Sequence, residues 1–327
     1  MNICFSTYPW AFDIKGGGEH QLMHYKTNLL KRDVNVSLYD MWSAGFSECD
    51  LMHFFSVMPG SMPFLDYVKT KKGLPLIVSP NFWPDPDSWE KSGVSSEVET
   101  ILWLANKIIV NSYIELEYMV RVLKIDSSYI DIVYNAVDKT YFEMASPDIF
   151  REKFNIAGPY ILNVANVEPR KNQFAFLQAL KKFPDYKLIV IGRIRDQWYM
   201  NECTNVGKDQ FIFLGPLPSG SVLLKSAFAG CEFFAMPSLV ETPSIASLEA
   251  AASGAKLLTI PIGSTKEYFL DMATYVNPYD LSSIEDGIRG ILTEKSCSEL
   301  REHVLQNFTW ESVMESLIKV YERVLCP

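Results

Sequence analysis

The sequence predicts an α/β fold with two doubly wound parallel sheets, one in each of two domains. Short apolar runs of four to six residues recur along the chain, and several are rich in isoleucine and valine. Runs of this kind are typical of parallel strands that are buried on both faces. Amphipathic stretches separate the runs, and strand–helix alternation builds an open sheet with helices on both sides. The length of 327 residues accommodates two such domains.

The first half of the chain holds six runs with the length and composition of buried strands. They are Asn2–Ser6, Asn35–Tyr39, Leu51–Phe55, Pro75–Ser79, Lys107–Asn111 and Ile130–Tyr134. Between them, apolar residues recur at helical spacing over Glu19–Leu30 and Ser112–Leu123. We therefore expect a first Rossmann-like domain over residues 1–145.

The second half repeats this pattern and then ends in helices. Its strand-like runs are Tyr160–Ala165, Lys187–Ile191, Phe211–Leu214, Glu232–Ala235 and Lys256–Thr259. The helical patterns are Asn172–Lys182, Ser244–Ser253, Leu281–Leu292, Cys297–Gln306 and Trp310–Val324. Ser146-Pro147-Asp148 and Gly158-Pro159 mark a boundary, so the second domain is expected over residues 158–308. The last helix, within 309–327, is expected to pack back on the first domain.

Composition and charge exclude several classes of protein. The net charge of −9 argues against general binding of nucleic acid, whose phosphates attract cationic proteins. No apolar run approaches the ~20 residues that span a bilayer, and the start of the chain lacks the basic flank of a signal peptide. Six scattered cysteines without a C-x-x-C pair predict free thiols in a reducing cytosol and no zinc site.

Membrane contact, if any, is expected to be peripheral, at the inner membrane face. Phe64–Lys72 combines apolar residues with three lysines, which suits a small contact with anionic lipid. The alternative is a helix end whose lysines complement the helix dipole.

The strongest local motif is Glu241-Thr-Pro-Ser-Ile-Ala-Ser-Leu-Glu249, between a strand and a helix. Free backbone amides at the helix start, around Ser244 and Ile245, favour an anion. Glu249 is placed to accept hydrogen bonds from hydroxyls of the same ligand. Glu241 is placed to bind another hydroxyl or to face a developing positive charge. The alternative is a helix capped by Ser244 and flanked by two solvated acids.

Two cations follow the first strand of the second half, within Val167-Glu-Pro-Arg170-Lys171-Asn172. Arg170 and Lys171 lie beside the start of a predicted helix, and each supplies charge-assisted donors that suit a diphosphate. The alternative is an ordinary solvated turn.

A glycine run, Lys15-Gly16-Gly17-Gly18-Glu19, lies between the first strand and the first helix. Glycines let the backbone approach a ligand closely and offer amides to an anion. The run is neither a G-x-G-x-x-G fingerprint nor a P-loop, and a loop without a ligand is the alternative.

His53 lies in the predicted strand Leu51–Phe55, near the edge where ligand sites of α/β sheets gather. It is a candidate contact for a sugar or an acceptor, and a hydrogen-bonded core histidine is the alternative. The chain has no G-x-S-x-G elbow and no H-E-x-x-H motif, which excludes those hydrolase classes.

Taken in order, these segments resemble the retaining glycosyltransferases of family 4, whose GT-B fold has two Rossmann-like domains facing each other across a cleft. The resemblance covers essentially the whole chain. Its motifs are Gly16-Gly17-Gly18-Glu19, Lys107-Ile-Ile-Val-Asn-Ser112, Tyr134-Asn135-Ala136-Val137-Asp138 with Phe142, Val167-Glu-Pro-Arg170-Lys171-Asn172, the glutamates at 241 and 249, and Phe308-Thr309-Trp310.

The resemblance implies a nucleotide-sugar donor held mainly by the C-terminal domain and an acceptor held by the N-terminal one. By matching position, Lys171 binds the diphosphate and Arg170 assists. Glu249 binds the ribose and Glu241 binds sugar hydroxyls. In this family positive groups, rather than a metal, stabilise the leaving diphosphate, so neither a metal nor a cofactor is expected.

The resemblance also assigns backbone groups and marks differences. Amides near Ser244 and Ile245 cradle the phosphate, and Gly17 and Gly18 close over it from the other domain. Asn166 stands at the donor site where the family often has an arginine, so that cation is absent or supplied by Arg170. Two further segments differ from the family pattern, Thr242-Pro243-Ser244 and Ser79-Pro80-Asn81.

The function implied is a retaining hexosyltransferase that moves a sugar from a UDP- or GDP-linked donor to a glycan or lipid-linked acceptor. Assembly of a surface or extracellular polysaccharide is the expected pathway. Two alternatives stay open, a nucleotide-sugar-binding protein without turnover and a nucleotide-sugar epimerase.

Overall fold

The computed structural model describes residues 1–13, 15–43, 45–82, 95–294 and 298–326. The chain divides into two compact units, one made of Met1–Asn135 with Trp310–Pro327 and the other of Ala136–Thr309. Each unit holds one parallel sheet with helices packed against it, which confirms the predicted α/β class with two doubly wound sheets.

The described residues of the first unit form a six-stranded sheet in the order β2-β1-β3-β4-β5-β6. The strands are β1 (Asn2–Ser6), β2 (Asn35–Leu38), β3 (Leu51–Phe55), β4 (Leu76–Ser79), β5 (Lys107–Val110) and β6 (Ile130–Ile132). All neighbouring pairs are parallel. All residues of β3 and β4 are buried, as expected for central strands covered on both faces.

Helices of the first unit connect these strands. They are α1 (Gly17–Leu30), α2 (Met62–Asp66), α3 (Ser95–Leu104) and α4 (Tyr113–Leu123). The start of α4 is fixed by Ser112, whose hydroxyl accepts a hydrogen bond from the Glu115 amide. Its end is fixed by Lys124, which adopts the left-handed conformation of a helix stop.

The segment Phe64–Lys72 packs into the first unit by its apolar side. Leu65 and Val68 are fully buried in the core. The Lys69 ammonium donates to the Asn106 side chain, and the Lys72 ammonium lies over the rings of Phe46 and Tyr67. Two of the three lysines of this segment thus contact other side chains of the first unit.

The second unit has a six-stranded parallel sheet among its described residues, in the order β12-β11-β10-β7-β8-β9. Its strands are β7 (Tyr160–Val164), β8 (Lys187–Ile191), β9 (Phe211–Phe213), β10 (Phe233–Ala235), β11 (Leu257–Thr259) and β12 (Thr274–Tyr275). From β7 the chain adds strands on one side and then returns to add β10, β11 and β12 on the other. The point where the order reverses therefore lies between β7 and β10.

Eight helices are described in the second unit. They are α5 (Asp148–Phe154), α6 (Gln173–Leu180), α7 (Gln197–Gly207), α8 (Val222–Gly230), α9 (Ile245–Ala252), α10 (Thr265–Phe269), α11 (Leu281–Thr293) and α12 (Ser298–Asn307). One apolar core includes residues from α6, α7 and α11 and from the strands β7, β8 and β10. This packing fixes the loops at the carboxyl ends of β7 and β10.

The last helix, α13 (Trp310–Leu325), belongs to the first unit. The ring of Trp310 stacks on His24 of α1 at 5.0 Å, and Arg323 forms an ion pair with Asp131 of β6. The division between the units falls after Asn135 rather than at 145. Residues 136–145 join the second unit because Tyr141 accepts a hydrogen bond from the Gly220 amide.

Five of the six cysteines are described, and all five are free thiols. Cys297 lies outside the described residues. Within the described ranges, no helix is both long and apolar enough to cross a bilayer, and no group of three or more histidine, cysteine, aspartate or glutamate side chains could hold a metal ion.

Candidate functional site

Two loops meet at the carboxyl ends of β7 and β10, where the strand order of the second sheet reverses. The Leu239 amide donates to the Arg170 carbonyl oxygen at 2.9 Å, and the Asn172 side-chain amide donates to the Pro237 carbonyl oxygen at 3.1 Å. Open parallel sheets bind ligands at such a reversal. The residues of these two loops are therefore the candidates for a ligand site.

The loops bring Lys171 and Glu241 into direct contact. The Lys171 ammonium forms an ion pair with the Glu241 carboxylate. The two side chains are only 11% and 4% exposed, so neither belongs to a solvated turn. Burial lowers the pKa of Lys171, and the neighbouring Glu241 carboxylate opposes that shift.

Arg170 lies on the solvent side of this pair. Its guanidinium is 3.7 Å from the Glu241 carboxylate and 3.0 Å from Glu168, and its side chain is 47% exposed. Glu168 also faces Arg195 at 3.5 Å. Two cations thus share Glu241, and Arg170 is the more accessible of the two.

The backbone of Glu241 is fixed by the loop after β11. Its carbonyl oxygen accepts a hydrogen bond from the Ser264 amide at 3.1 Å. Gly263, with φ +88°, lies so close that an added Cβ would be 1.9 Å from the same oxygen. Only glycine fits this approach and this left-handed conformation. The position of the Glu241 carboxylate is therefore set by the fold.

Helix α9 begins directly after this loop. Ser244 occupies the N-cap position, and its hydroxyl does not cap the first turn. Its carbonyl oxygen accepts from the Ser247 and Leu248 amides, which leaves the amides of Ile245 and Ala246 at the positive end of the helix. The Ile245 amide is one of the two that the sequence predicted for a phosphate, and the other is that of Ser244, the N-cap residue.

Glu249, one turn further along α9, is 5% exposed. The Ser219 hydroxyl donates to its carboxylate at 3.4 Å. Burial raises the pKa of Glu249 to about 7, against the lowering effect of hydrogen bonds from Tyr141 and Ser219. Glu249 is therefore a buried, titratable carboxyl rather than a solvated acid.

Asn166 lies in the loop after β7, and its side chain is engaged with the backbone. Its Oδ1 accepts a hydrogen bond from the Arg193 amide at 3.1 Å. Nearby, Gly192 passes so close to Ala165 that an added Cβ would be 2.0 Å from the Ala165 carbonyl oxygen. In this state Asn166 joins the ends of β7 and β8.

Gly17 and Gly18 belong to the first unit, and the structure places them in the first turn of α1 rather than in a loop. The Glu19 carboxylate accepts a hydrogen bond from the Gly16 amide at 2.6 Å, which stabilises this helix start. Space beside Gly17 is open, whereas a Cβ on Gly18 would be 3.0 Å from the side chain of Asn81.

His53 is the middle residue of β3 and is fully buried. One ring nitrogen contacts the Tyr321 hydroxyl at 2.7 Å and the other contacts the Ser79 hydroxyl at 2.8 Å. Burial lowers the pKa of His53 to about 3. Both nitrogens are engaged inside the core, so this state offers no histidine atom to a ligand and favours the core-histidine alternative.

Three residues that hold the site were not singled out in the sequence, namely Asn172, Gly263 and Tyr141. Asn172 adopts φ +58° and donates a second hydrogen bond to the Pro278 carbonyl oxygen at 2.9 Å. The sequence did contain a signal for Asn172, since asparagine tolerates the left-handed conformation that separates a turn from a helix. Gly263 and Tyr141 act through long-range contacts that leave no local pattern.

Comparison with known proteins identifies relatives of this chain. Residues 146–308 match the family described as glycosyl transferases group 1. The chain is 24% identical over 235 residues to D-inositol 3-phosphate glycosyltransferase of Mycolicibacterium smegmatis, covering 68% of this chain and 54% of that protein. It is 28% identical over 188 residues to O-antigen chain mannosyltransferase RfbU of Salmonella typhimurium, covering 56% and 50%. The chain thus spans about half the length of these curated relatives.

Solved structures share the whole fold at low sequence identity. Sucrose-phosphate synthase from Thermosynechococcus elongatus superimposes with a TM-score of 0.82 at 15% identity over 100% of both chains. HepE of Anabaena, solved in complex with UDP and glucose, gives 0.81 at 15% identity over 98% of this chain and 99% of that one. Residues 146–308 therefore belong to the glycosyl transferases group 1 family, in a chain that has the GT-B fold.

Proposed function

We propose that the protein is a retaining glycosyltransferase that moves a sugar from a UDP- or GDP-linked donor to a glycan or lipid-linked acceptor, in assembly of a surface polysaccharide. The observation that carries the proposal is the buried ion pair between Lys171 and Glu241, with Arg170 beside it. It lies at the carboxyl ends of β7 and β10, where an open sheet binds nucleotides.

The cations provide the chemistry that a departing diphosphate needs. When a nucleotide sugar binds, Lys171 donates to the diphosphate and Arg170 adds a second, more exposed cation. The amides of Ser244 and Ile245 meet the phosphate at the positive end of α9. Charge that develops on the leaving group then meets donors that are already in place, which is the usual source of electrostatic catalysis.

Two carboxylates complete the donor site. Glu249 accepts hydrogen bonds from the ribose hydroxyls, and Glu241 accepts hydrogen bonds from the sugar. As the bond between the anomeric carbon and the phosphate oxygen breaks, its electron pair stays on the diphosphate. The acceptor hydroxyl then forms its bond from the same face and passes its proton to an oxygen of the departing diphosphate, so the anomeric configuration is retained. Glu241 stabilises the positive charge that develops on the sugar.

Known relatives support this choice of substrates. The mannosyltransferase RfbU of Salmonella typhimurium acts on an O-antigen chain, and WbdA of Escherichia coli, 26% identical over 189 residues, is a serotype-specific mannosyltransferase. HepE of Anabaena has been solved with UDP-glucose. The first two favour a surface glycan as the product, and the third favours a nucleotide diphosphate sugar as the donor.

A thermal-shift panel of UDP-, GDP-, ADP- and TDP-sugars tests the proposal. A ligand at about 100 times its Kd adds roughly 2.7 kcal/mol to the free energy of unfolding, so the matching donor raises Tm. The stabilising donor is then offered with candidate acceptors, and release of nucleoside diphosphate is measured. The proposal fails if no nucleotide sugar raises Tm and none is turned over.

The variant Lys171→Ala separates the enzyme from its alternatives. Turnover collapses in the variant if Lys171 stabilises the leaving diphosphate, while Lys181→Ala, on an exposed turn after α6, leaves it unchanged. A protein that binds donor without any turnover in the wild type is the binding alternative. Conversion of the donor to an isomeric nucleotide sugar without acceptor identifies the epimerase alternative.

A further inference from the structure

A buried tyrosine lies behind Glu249 in the second unit. Tyr141 follows the strand β6 by nine residues in sequence and is 2% exposed. Its ring packs edge-on against Phe228 of α8, with centroids 6.0 Å apart. The hydroxyl points away from this apolar contact, because it accepts a hydrogen bond from the Gly220 amide at 2.8 Å.

The hydroxyl lies among the groups that surround Glu249. It helps to lower the pKa of Glu249 against the effect of burial, as the Ser219 hydroxyl does. Ser219 donates to Glu249 Oε1 at 3.4 Å. Tyr141 thus binds the loop that carries this donor and favours the charged form of the carboxyl group.

The loop that carries Ser219 and Gly220 is tied at its far end as well. Gly220 adopts φ +72°, and the next residue, Ser221, caps α8 by accepting the Leu224 amide at 3.2 Å. One end of the loop is therefore fixed by α8 and its middle by Tyr141. Without the phenol, the Gly220 amide loses its acceptor and Ser219 loses part of its support.

We propose that Tyr141 is a positioning residue for the donor site: its hydroxyl holds the Ser219–Gly220 backbone, and through the Ser219 hydroxyl the Glu249 carboxyl, in the arrangement that receives the ribose of the nucleotide. This inference rests on the proposed function, because it takes Glu249 as the ribose ligand. Ser219 binds one oxygen of the carboxyl group and leaves the other to accept the ribose hydroxyls.

The same contacts govern the charge of Glu249. Burial favours its neutral form, the phenol and the Ser219 hydroxyl favour the carboxylate, and Asp138 favours the neutral form again by charge repulsion. Ribose hydroxyls donate most strongly to a carboxylate. Loss of the Tyr141 hydroxyl therefore raises the pKa of Glu249 and moves donor binding to higher pH.

Tyr141→Phe tests the proposal, since it keeps the ring contact with Phe228 and removes the hydroxyl alone. Tyr160→Phe is the matched control. Tyr160 is also buried in the second unit, and its hydroxyl donates to the Ala227 carbonyl oxygen at 2.7 Å rather than to the site. Each variant is measured for the Kd of UDP and GDP, the KM of the donor, kcat, Tm and the pH dependence of kcat/KM.

The expected result is that Tyr141→Phe raises Kd and donor KM by about tenfold, the loss for one hydrogen bond, and leaves kcat within about twofold. The pH midpoint of kcat/KM rises in this variant and stays in place in Tyr160→Phe. Ser219→Ala gives a smaller change in the same direction. Equal effects of the two tyrosine variants, or a lower Tm with unchanged KM and midpoint, overturn the positioning role.

Glu249→Gln distinguishes this inference from the proposed function. If Glu249→Gln weakens nucleotide binding and Tyr141→Phe does not, Glu249 is the ribose ligand and the role of Tyr141 is wrong. If Glu249→Gln leaves nucleotide binding and turnover unchanged, the ribose role itself is wrong, and the inference about Tyr141 falls with it.

Discussion

The ammonium group of Lys171 and the carboxylate of Glu241 form a buried ion pair that joins the loops after β7 and β10. Seventy residues separate them in sequence, and the parallel sheet and the hydrogen bonds between its loops bring them together. Burying two charges costs several kcal/mol for each ion, and their attraction offsets this cost only with good geometry. A pair of this kind is weak evidence for stability and stronger evidence for a binding role.

Breaking this pair from one side destabilises the protein. Lys171→Met leaves the Glu241 carboxylate buried without its main partner, and Glu241→Gln does the same to Lys171. We expect each variant to lower the free energy of unfolding by about 3–5 kcal/mol. The double variant costs less than the sum of the two, because neither charge is then left unpaired. Urea denaturation measures all four proteins.

A surface pair in the same unit provides the control. Arg289 pairs with Asp286 on the surface of α11, and the two side chains are 60% and 73% exposed. Arg289→Met is therefore expected to change the free energy of unfolding by less than about 1 kcal/mol. Additive effects at Lys171 and Glu241, or losses no larger than that of Arg289→Met, would contradict the description of a buried, coupled pair.

Gly263→Ala disturbs the site through the backbone of Glu241. A Cβ at this position meets the Glu241 carbonyl oxygen at 1.9 Å, and φ is +88°. The variant is expected to lose on the order of 3 kcal/mol of stability and to bind donor more weakly, because the carboxylate is displaced. Denaturation and nucleotide titration check these two results.

Gly290→Ala is the matched control for Gly263→Ala. Gly290 lies inside α11, and no atom lies within 4 Å of an added Cβ. Alanine at such a position stabilises a helix by roughly 0.5–1 kcal/mol. The two substitutions are chemically identical, so opposite signs attribute the loss at Gly263 to its left-handed backbone and its contact with Glu241. A gain at both positions would show that the loop after β11 adapts freely.

Strands were predictable from the sequence because each is a short, nearly continuous apolar run. The eleven predicted runs all contain a strand in the structure, and β1, β3 and β8 have the predicted bounds. The strand β12, Thr274–Tyr275, was not predicted, because two half-buried residues give no hydrophobic period. The predicted runs that end at Tyr39 and Asn111 extend one residue beyond the strand. The apolar run and the hydrogen-bonded ladder of a strand end at different residues.

The candidate site was predictable in its residue types and not in its contacts. Arg170, Lys171, Glu241 and Glu249 were chosen for their charge beside helix starts. The burial of Lys171, Glu241 and Glu249 was not foreseen, because local sequence does not reveal which loops cover one another. His53 illustrates the same limit, since its two partners, Ser79 and Tyr321, come from β4 and α13.

Glu249 makes the stability of the protein depend on pH in a defined window. Its pKa is about 7 in the folded state against 4.5 for the free side chain. Between these values the folded protein holds the proton and the unfolded chain has lost it, so stability falls as pH rises from about 4.5 to 7 and is level above. Glu249→Gln removes this loss, so the variant gains stability over the wild type at pH 8 by about 3 kcal/mol at most.

Urea denaturation at pH 5 and pH 8 measures this effect. The gap between Glu249→Gln and the wild type is expected to widen from pH 5 to pH 8. Donor binding, by contrast, is expected to be weaker in Glu249→Gln than in the wild type, because the variant has no carboxylate for the ribose. An equal gap at the two pH values would show that Glu249 is ionised throughout the range.

His53 gives the opposite pH dependence. Its pKa is about 3 in the folded state against 6.5 for the free side chain, so below pH 6.5 the unfolded chain gains a proton that the folded protein does not. Stability is therefore full above about pH 6.5 and is lost as the pH falls toward 3, by about 2 kcal/mol between pH 7.5 and 5. His53→Gln, which keeps a donor and an acceptor, is expected to reduce this loss. Donor and acceptor KM at pH 7.5 stay unchanged if His53 is a core residue, and a rise in acceptor KM at unchanged Tm would instead identify it as a ligand contact.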